Sequence, residues 1–260
     1  MNDILRVGNV SLAFGGLRAL DDVSFSVRRG ELFSIIGPNG AGKTSILNCL
    51  SGRYRPHRGE ILYDGENLTA RPVSARTKIG IARTFQNLAL FAHMSVLDNI
   101  LVGRHHLMKS GFLRGALYWG FTRREEIAHR AEIERIIDFL EIQGVRHTPA
   151  GALPYGVRKR VELARAVAAR PRLLLLDEPM AGMNLDEKED MARFIVELNE
   201  EWNITVIMIE HDMSVVMDIS GRVLAMDFGS VIAEGSPAEI LRHERVKTAY
   251  LGAEFSADAE

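Results

Sequence analysis

The run Gly37, Pro38, Asn39, Gly40, Ala41, Gly42, Lys43 and Thr44 satisfies the pattern G-x-x-x-x-G-K-[ST]. It directly follows the apolar run Leu32 to Ile36 and precedes a helical stretch ending near Gly52. Glycines at this spacing let successive backbone N–H groups turn inward around a phosphate chain. The helix that follows presents its unpaired N-terminal donors and positive dipole end to the same anion. Lys43 adds a mobile positive charge for β and γ phosphates, and Thr44 a hydroxyl suited to Mg²⁺, a hard ion that prefers oxygen ligands. A bland glycine-rich turn with an exposed lysine would not need these residues in this order, so the run is read as a nucleotide-phosphate site.

A second cluster, Asp177-Glu178, follows the apolar run Leu173 to Leu176. Neighbouring side chains on a strand point to opposite faces, so the two carboxylates can take different jobs. Asp177 suits the Mg²⁺ shell, and Glu178 suits orienting or deprotonating an attacking water. Alone, an acidic pair after a strand is more often a solvated helix cap. Paired with the phosphate loop, it is read as catalytic.

These groups need a scaffold. Leu32 to Ile36, Leu173 to Leu176 and Ile204 to Ile209 are short continuous apolar runs, as expected of parallel strands covered on both faces. Val23, Phe25 and Val27 alternate before Arg28-Arg29-Gly30, and Glu60 to Asp64 follows Gly59, which predicts an antiparallel part near the N-terminus. Arg124 to Leu140 places Ile127, Ile133, Ile136, Ile137 and Leu140 on one helical face. The expected fold is α/β: a phosphate-loop NTPase core over about 1–87 and 157–235, an inserted helical lobe over about 88–156, and a tail over 236–260. Within that tail, Ser256 to Glu260 is expected to fray.

Composition narrows the function classes. The 260 residues are 47% hydrophobic and 25% charged, and 32 basic against 34 acidic residues leave a net charge of −2, which argues against bulk nucleic-acid binding. Cys49 is the lone cysteine and cannot form an internal disulfide, in keeping with a reducing compartment. No apolar run is long enough to span a bilayer, and Met1 to Val10 carries Asp3 and Arg6 without a long apolar region. The expected location is the cytoplasm. His105-His106 has no nearby cysteine or carboxylate to complete a ligand set and is not read as a metal site.

In these motifs and their order the chain resembles the ATP-binding subunits of ABC transporters, over nearly its whole length. The resemblance implies ATP and Mg²⁺ as ligands and several further roles. Gln86, in Thr84-Phe85-Gln86-Asn87, is similar to the glutamine that senses the metal and the attacking water. His211, in Glu210-His211-Asp212, is similar to the switch histidine that contacts the γ-phosphate, and Phe14 to the aromatic on which adenine stacks. The implied catalytic set is therefore Glu178, His211 and Gln86, and the implied metal set Thr44, Gln86 and Asp177.

Leu153-Pro154-Tyr155-Gly156-Val157 stands in place of the common L-S-G-G-Q, followed by Arg158-Lys159-Arg160 and an expected helix from Val161 to Ala169. In the family this segment caps the γ-phosphate bound by the other subunit, so the resemblance adds Gly156 to the nucleotide contacts. Pro154 removes a hydroxyl and a backbone donor, and Asn184 stands where an aspartate is usual; both bear on contacts between subunits, not on ATP binding. Pro-Tyr-Gly, Ala181-Gly182-Met183-Asn184 and the tail Ala249-Tyr250-Leu251-Gly252 are similar to the branched-chain amino acid branch of importers, and the long stretch from Gln86 to Leu153 to the larger ATPase of such systems.

The partners implied are a second copy or sister ATPase, membrane permeases and, indirectly, an extracytoplasmic solute-binding protein, with no nucleic acid. Within the insertion, Asn99 to Arg124 has no acidic residue, and Arg104, Lys109, Arg114, Arg123 and Arg124 accompany Phe112, Leu113, Tyr118, Trp119 and Phe121. Such a segment either docks near anionic lipid or folds over its own aromatics. Competing readings are a lipid or lipopolysaccharide export ATPase, a soluble ABC-type ATPase and a small-molecule kinase. The last would not explain the signature segment together with His211.

Overall fold

The computed structural model describes residues 3–84, 89–107 and 121–257. Along the chain, β1 (Asp3–Phe14) and β2 (Leu17–Arg28) form a hairpin, and β3 (Leu32–Ile36) leads into α1 (Lys43–Ser51). Next come β4 (Arg58–Tyr63), β5 (Glu66–Asn67), α2 (Val73–Lys78) and β6 (Ile81–Arg83). Three longer helices follow, α3 (Val96–Gly103), α4 (Phe121–Phe139) and α5 (Tyr155–Ala168). The chain then returns through β7 (Leu173–Asp177), α6 (Leu185–Glu200), β8 (Thr205–Ile209), α7 (Met213–Ile219), β9 (Arg222–Asp227) and β10 (Ser230–Gly235). It closes on α8 (Pro237–Arg242) and α9 (Glu244–Ala257).

Two sheets result. The antiparallel one has the order β2-β1-β4-β5, and the larger one β10-β9-β3-β8-β7-β6. In the larger sheet β6, β7, β8, β3 and β9 are parallel and β10 is antiparallel to β9. Every residue of β3, β7 and β8 is buried, and their alternate side chains serve two separate cores. Leu32, Ile36, Leu174, Leu176, Val206 and Met208 face the helical side. Phe33, Ile35, Leu173, Leu175, Ile207 and Ile209 face α1 and the antiparallel sheet. That double burial is why these strands read as unbroken apolar runs.

Several details differ from expectation. β4 ends at Tyr63, and Asp64 has turned into the left-handed region at φ 49°. α5 starts at Tyr155, not Val161, because Pro154 is the N-cap, where its fixed φ suits a helix start and its missing N–H costs nothing. Gly156 is thus inside the first turn. On α4, Ile133, Ile136, Ile137 and Leu140 are buried as the spacing requires, while the side chain of Ile127 lies outside the described residues. α8 and α9 fold back on the core through Ile240 and Val246, and Ser256 and Ala257 are helical. Residues 258–260 lie outside the description.

Arg104, one of the basic residues of the segment from Asn99 to Arg124, is buried, as the folded alternative for that segment has it. Its Nε donates to His129 Nδ1 at 3.1 Å and its Nη1 to Ala168 O at 3.1 Å, so it ties the end of α3 to α4 and α5. Lys109, Phe112, Leu113, Arg114, Tyr118 and Trp119 lie outside the described residues. No helix among those described is long and apolar enough to cross a membrane.

Candidate functional site

Parallel strands that share an orientation deliver their following loops to one edge of the sheet, where open α/β sheets bind ligands. Here that edge collects residues 37–44 after β3, Asp177 and Glu178 at the end of β7, and Glu210 and His211 after β8. Gly37 has φ +150°, and a Cβ there would run into Met226 O of β9, so only glycine lets the loop leave the sheet this close to its neighbour. Gly42 is the N-cap of α1 and carries no capping side chain, which leaves the first-turn donors without a side-chain partner from the cap. Thr44 is the second residue of α1. The loop is pinned from outside by Gly229 N–H, which donates to Ala41 O at 3.1 Å.

Lys43 is buried, and its Nζ donates to Gly37 O at 2.6 Å and Pro38 O at 2.9 Å. Burial pulls its pKa below the ordinary lysine value, against the opposing pull of Glu178 and Asp177. The ammonium and the two carboxylates therefore share one electrostatic site. Asp177 is 1% exposed; its Oδ2 accepts from Arg83 Nη2 at 2.8 Å, while its Oδ1 is buried with no hydrogen-bond partner among the described residues. Arg83 also donates through Nη1 to Asn48 Oδ1 at 2.7 Å and Ser51 Oγ at 3.0 Å, tying β6 to α1.

Glu178 sits at φ 49°, a left-handed conformation that costs a side chain of this size about 1 to 2 kcal/mol. Its N–H donates to Ile209 O at 3.0 Å and its carbonyl accepts from Lys159 Nζ at 3.3 Å, which hold the turn in place. Strain of this kind, over-determined by its surroundings, collects at functional sites. The backbone thus leaves the strand immediately after Asp177.

His211 has a side chain 61% exposed, anchored through its backbone: its N–H donates to Glu210 Oε2 at 3.2 Å. Glu210 Oε1 accepts from Met180 N–H at 2.8 Å, and burial raises the Glu210 pKa above the usual carboxylate value. This buried carboxylate joins the turn after β7 to the histidine. Phe14, 46% exposed at the end of β1, meets Tyr54 edge-on with ring centroids 5.1 Å apart. Gly156 packs elsewhere: a Cβ there would run into the Glu187 carboxylate, which forms a reciprocal capping box with Asn184 at the start of α6. Asn184 thus caps a helix, a role open to both asparagine and aspartate. Gln86 lies outside the described residues.

Arg83, Glu210, Lys159 and Glu187 escaped sequence reasoning. Glu210 had one available signal, its place between a buried strand and His211, and Glu187 had another, its capping-box spacing from Asn184; Arg83 and Lys159 had none, because their partners are distant in the chain.

The donor set fits magnesium-bound nucleotide: a buried carboxylate oxygen with no partner among the described residues, a threonine hydroxyl at a helix start and a buried ammonium beside a glycine loop. Residues 20–181 match the family model described as ABC transporter. The chain belongs to the ABC transporter family. Members of this family bind nucleotide through this domain and hydrolyse ATP, and this chain is an ATPase of that kind. Residues 230–256, from β10 to α9, match a second model, described as branched-chain amino acid ATP-binding cassette transporter.

The chain is 39% identical over 249 residues to the high-affinity branched-chain amino acid transport ATP-binding protein BraF of Pseudomonas aeruginosa, covering 96% of this chain and 98% of that protein. It is 38% identical over 252 residues to LivG of Escherichia coli, with the same coverage of both. Among solved structures it resembles the ADP conformation of MJ1267, an ATP-binding cassette of an ABC transporter. That match has a TM-score of 0.84 and 30% identity, covering 97% of this chain and 100% of the other.

Proposed function

We propose that this chain is the ATP-hydrolysing subunit of an importer for branched-chain amino acids or related small amphipathic solutes. The observation that carries the chemistry is the convergence of Lys43, Asp177 and Glu178 at one sheet edge. The solute class rests on the relatives' stated substrate and on the C-terminal match over 230–256. The same two observations favour import over lipid export or a soluble, non-transport role.

In the proposed cycle Phe14 offers a ring face to adenine, and the N–H groups of residues 37–44 cradle the phosphates. Lys43 exchanges its bonds to Gly37 O and Pro38 O for phosphate oxygens. Asp177, Thr44 and Gln86 would hold Mg²⁺, which neutralises charge developing on the phosphates when bound. Glu178 orients or deprotonates the attacking water, Gln86 reports on metal and water, and His211, steadied by Glu210, faces the γ-phosphate. Gly156, packed against Glu187, caps the nucleotide of a second subunit, a copy or a sister ATPase, and ATP binding draws the two together.

A groove of about 460 Å³ supports a membrane permease as partner. It lies where α2 and β6 meet α3 and α5, and exposes Val73, Phe91 and Val102. Docking there would hold the subunit at the inner face of the membrane, with a solute-binding protein on the far side.

Two substitutions test the reading. Lys43→Ala is expected to lose MgATP binding in a fluorescent-nucleotide titration. Glu178→Gln is expected to bind MgATP, hydrolyse it hardly at all and accumulate dimers in light scattering. Full turnover by Glu178→Gln would remove the role assigned to that carboxylate. Copurifying the membrane complex and finding which solute stabilises its binding protein tests the substrate class.

A further inference from the structure

α6 and α7 are separated by an open groove of about 680 Å³, floored by Ala192, Val196, Val215 and Ile219. The N-terminal ends of the two helices are bridged by an ion pair: Lys188 Nζ lies 2.6 Å from Asp212 Oδ2. The other Asp212 oxygen is held by Ser214 Oγ at 2.6 Å. Asp212 is the N-cap of α7 and the immediate neighbour of His211. Glu189, Arg193, Glu197 and Asp218 also line the groove, and Arg193 is engaged by Glu141, Asp190 and Glu197. Lys188 follows Glu187, the residue against which Gly156 packs.

The His211 imidazole is largely exposed and its Nδ1 lies 3.7 Å from Glu210 Oε2, so its placement depends on the residues that flank it. On one flank Glu210 holds its N–H; on the other, Asp212 is held by Lys188. A partly exposed ion pair contributes little to folding, yet it restricts where its two helices sit relative to each other. We propose that Lys188 is a positioning residue for His211, transmitting the placement of the first turn of α6, and hence of the Gly156 segment, to the switch histidine. This rests on the role proposed above for His211.

The test uses the full chain with Lys188→Met and Lys188→Arg. In nucleotide-free protein, the His211 ring resonances, identified by their loss in His211→Ala, are expected to shift or broaden in Lys188→Met and to return in Lys188→Arg. In ATP turnover, kcat of Lys188→Met is expected to fall about fivefold, the worth of one partly exposed pair. KM for ATP should stay within about twofold of the parent value, because ground-state binding is not touched. The melting temperature should fall by only a few degrees, as expected for the loss of one partly exposed pair. Unchanged His211 resonances and unchanged kcat in Lys188→Met would overturn the proposal, as would a Lys188→Arg variant no better than Lys188→Met. A parent chain that hydrolyses no ATP would instead refute the proposed function, and the ring resonances would still decide whether Lys188 positions His211.

Discussion

Replacing Arg83 by leucine tests the link between the site and the core most severely. The guanidinium is 6% exposed and the Asp177 side chain 1%, so water cannot take over the pairing. Arg83→Leu would leave a buried carboxylate without its cation and strip donors from Asn48 Oδ1 and Ser51 Oγ. Removing one partner of a buried ion pair costs about 3 to 5 kcal/mol. At about 2 to 4 °C per kcal/mol for a chain near this size, that is a drop in melting temperature on the order of 10 °C.

Arg83→Lys keeps a charge, but one ammonium cannot span the contacts made by two Nη groups, and about 1 to 2 kcal/mol should still be lost. Arg83→Leu combined with Asp177→Asn removes the orphaned charge and should recover much of the loss, giving a coupling energy of about 2 kcal/mol or more. Equilibrium urea denaturation followed by far-UV circular dichroism measures the parent, both single variants at Arg83, Asp177→Asn and the double variant. A loss under about 1 kcal/mol for Arg83→Leu, or strictly additive effects in the double variant, would refute the assignment of this pair as a buried support of the site.

Other outcomes follow from the same structure. Gly37→Ala sets a Cβ against the rigid Met226 carbonyl, so the loop must shift; MgATP affinity should fall by about tenfold or more in a fluorescent-nucleotide titration, each tenfold being about 1.4 kcal/mol. Asn184→Ala deletes one half of the capping box and should cost about 1 kcal/mol in urea denaturation. Cys49 is fully buried and burial pushes its thiol up to about 12, so mass spectrometry should find no alkylation at pH 8 until the chain is unfolded. Asp212 is held down to about 2 from 3.8, chiefly by its hydrogen bond from Lys188. A depressed carboxylate stabilises the fold above its unfolded pKa and loses that contribution as pH falls through its folded value, so this part of the stability should vanish between pH 3.8 and about 2. Lys188→Met should move the Asp212 carboxyl titration, read by NMR, back toward 3.8.

The amino-acid sequence alone determined the phosphate loop, the acidic pair after β7 and the three central strands. Each is a local pattern whose meaning is complete within a few residues: glycines that free a backbone, a lysine after them, apolar runs that demand burial on both faces. Which helix start holds Gly156 was also locally encoded, in Pro154, though only the folded chain made it plain.

What the tertiary structure decided is how charged residues are spent. Arg83 and Arg104 look like surface residues from their type, and both are buried against partners far along the chain. The parallel register that sets β6 beside β7 brings Arg83 to Asp177, and the step from β7 to β8 brings Glu210 to Met180. Charge pairing across adjacent strands depends on sheet order and register, which long-range packing of the apolar faces selects and no local spacing encodes.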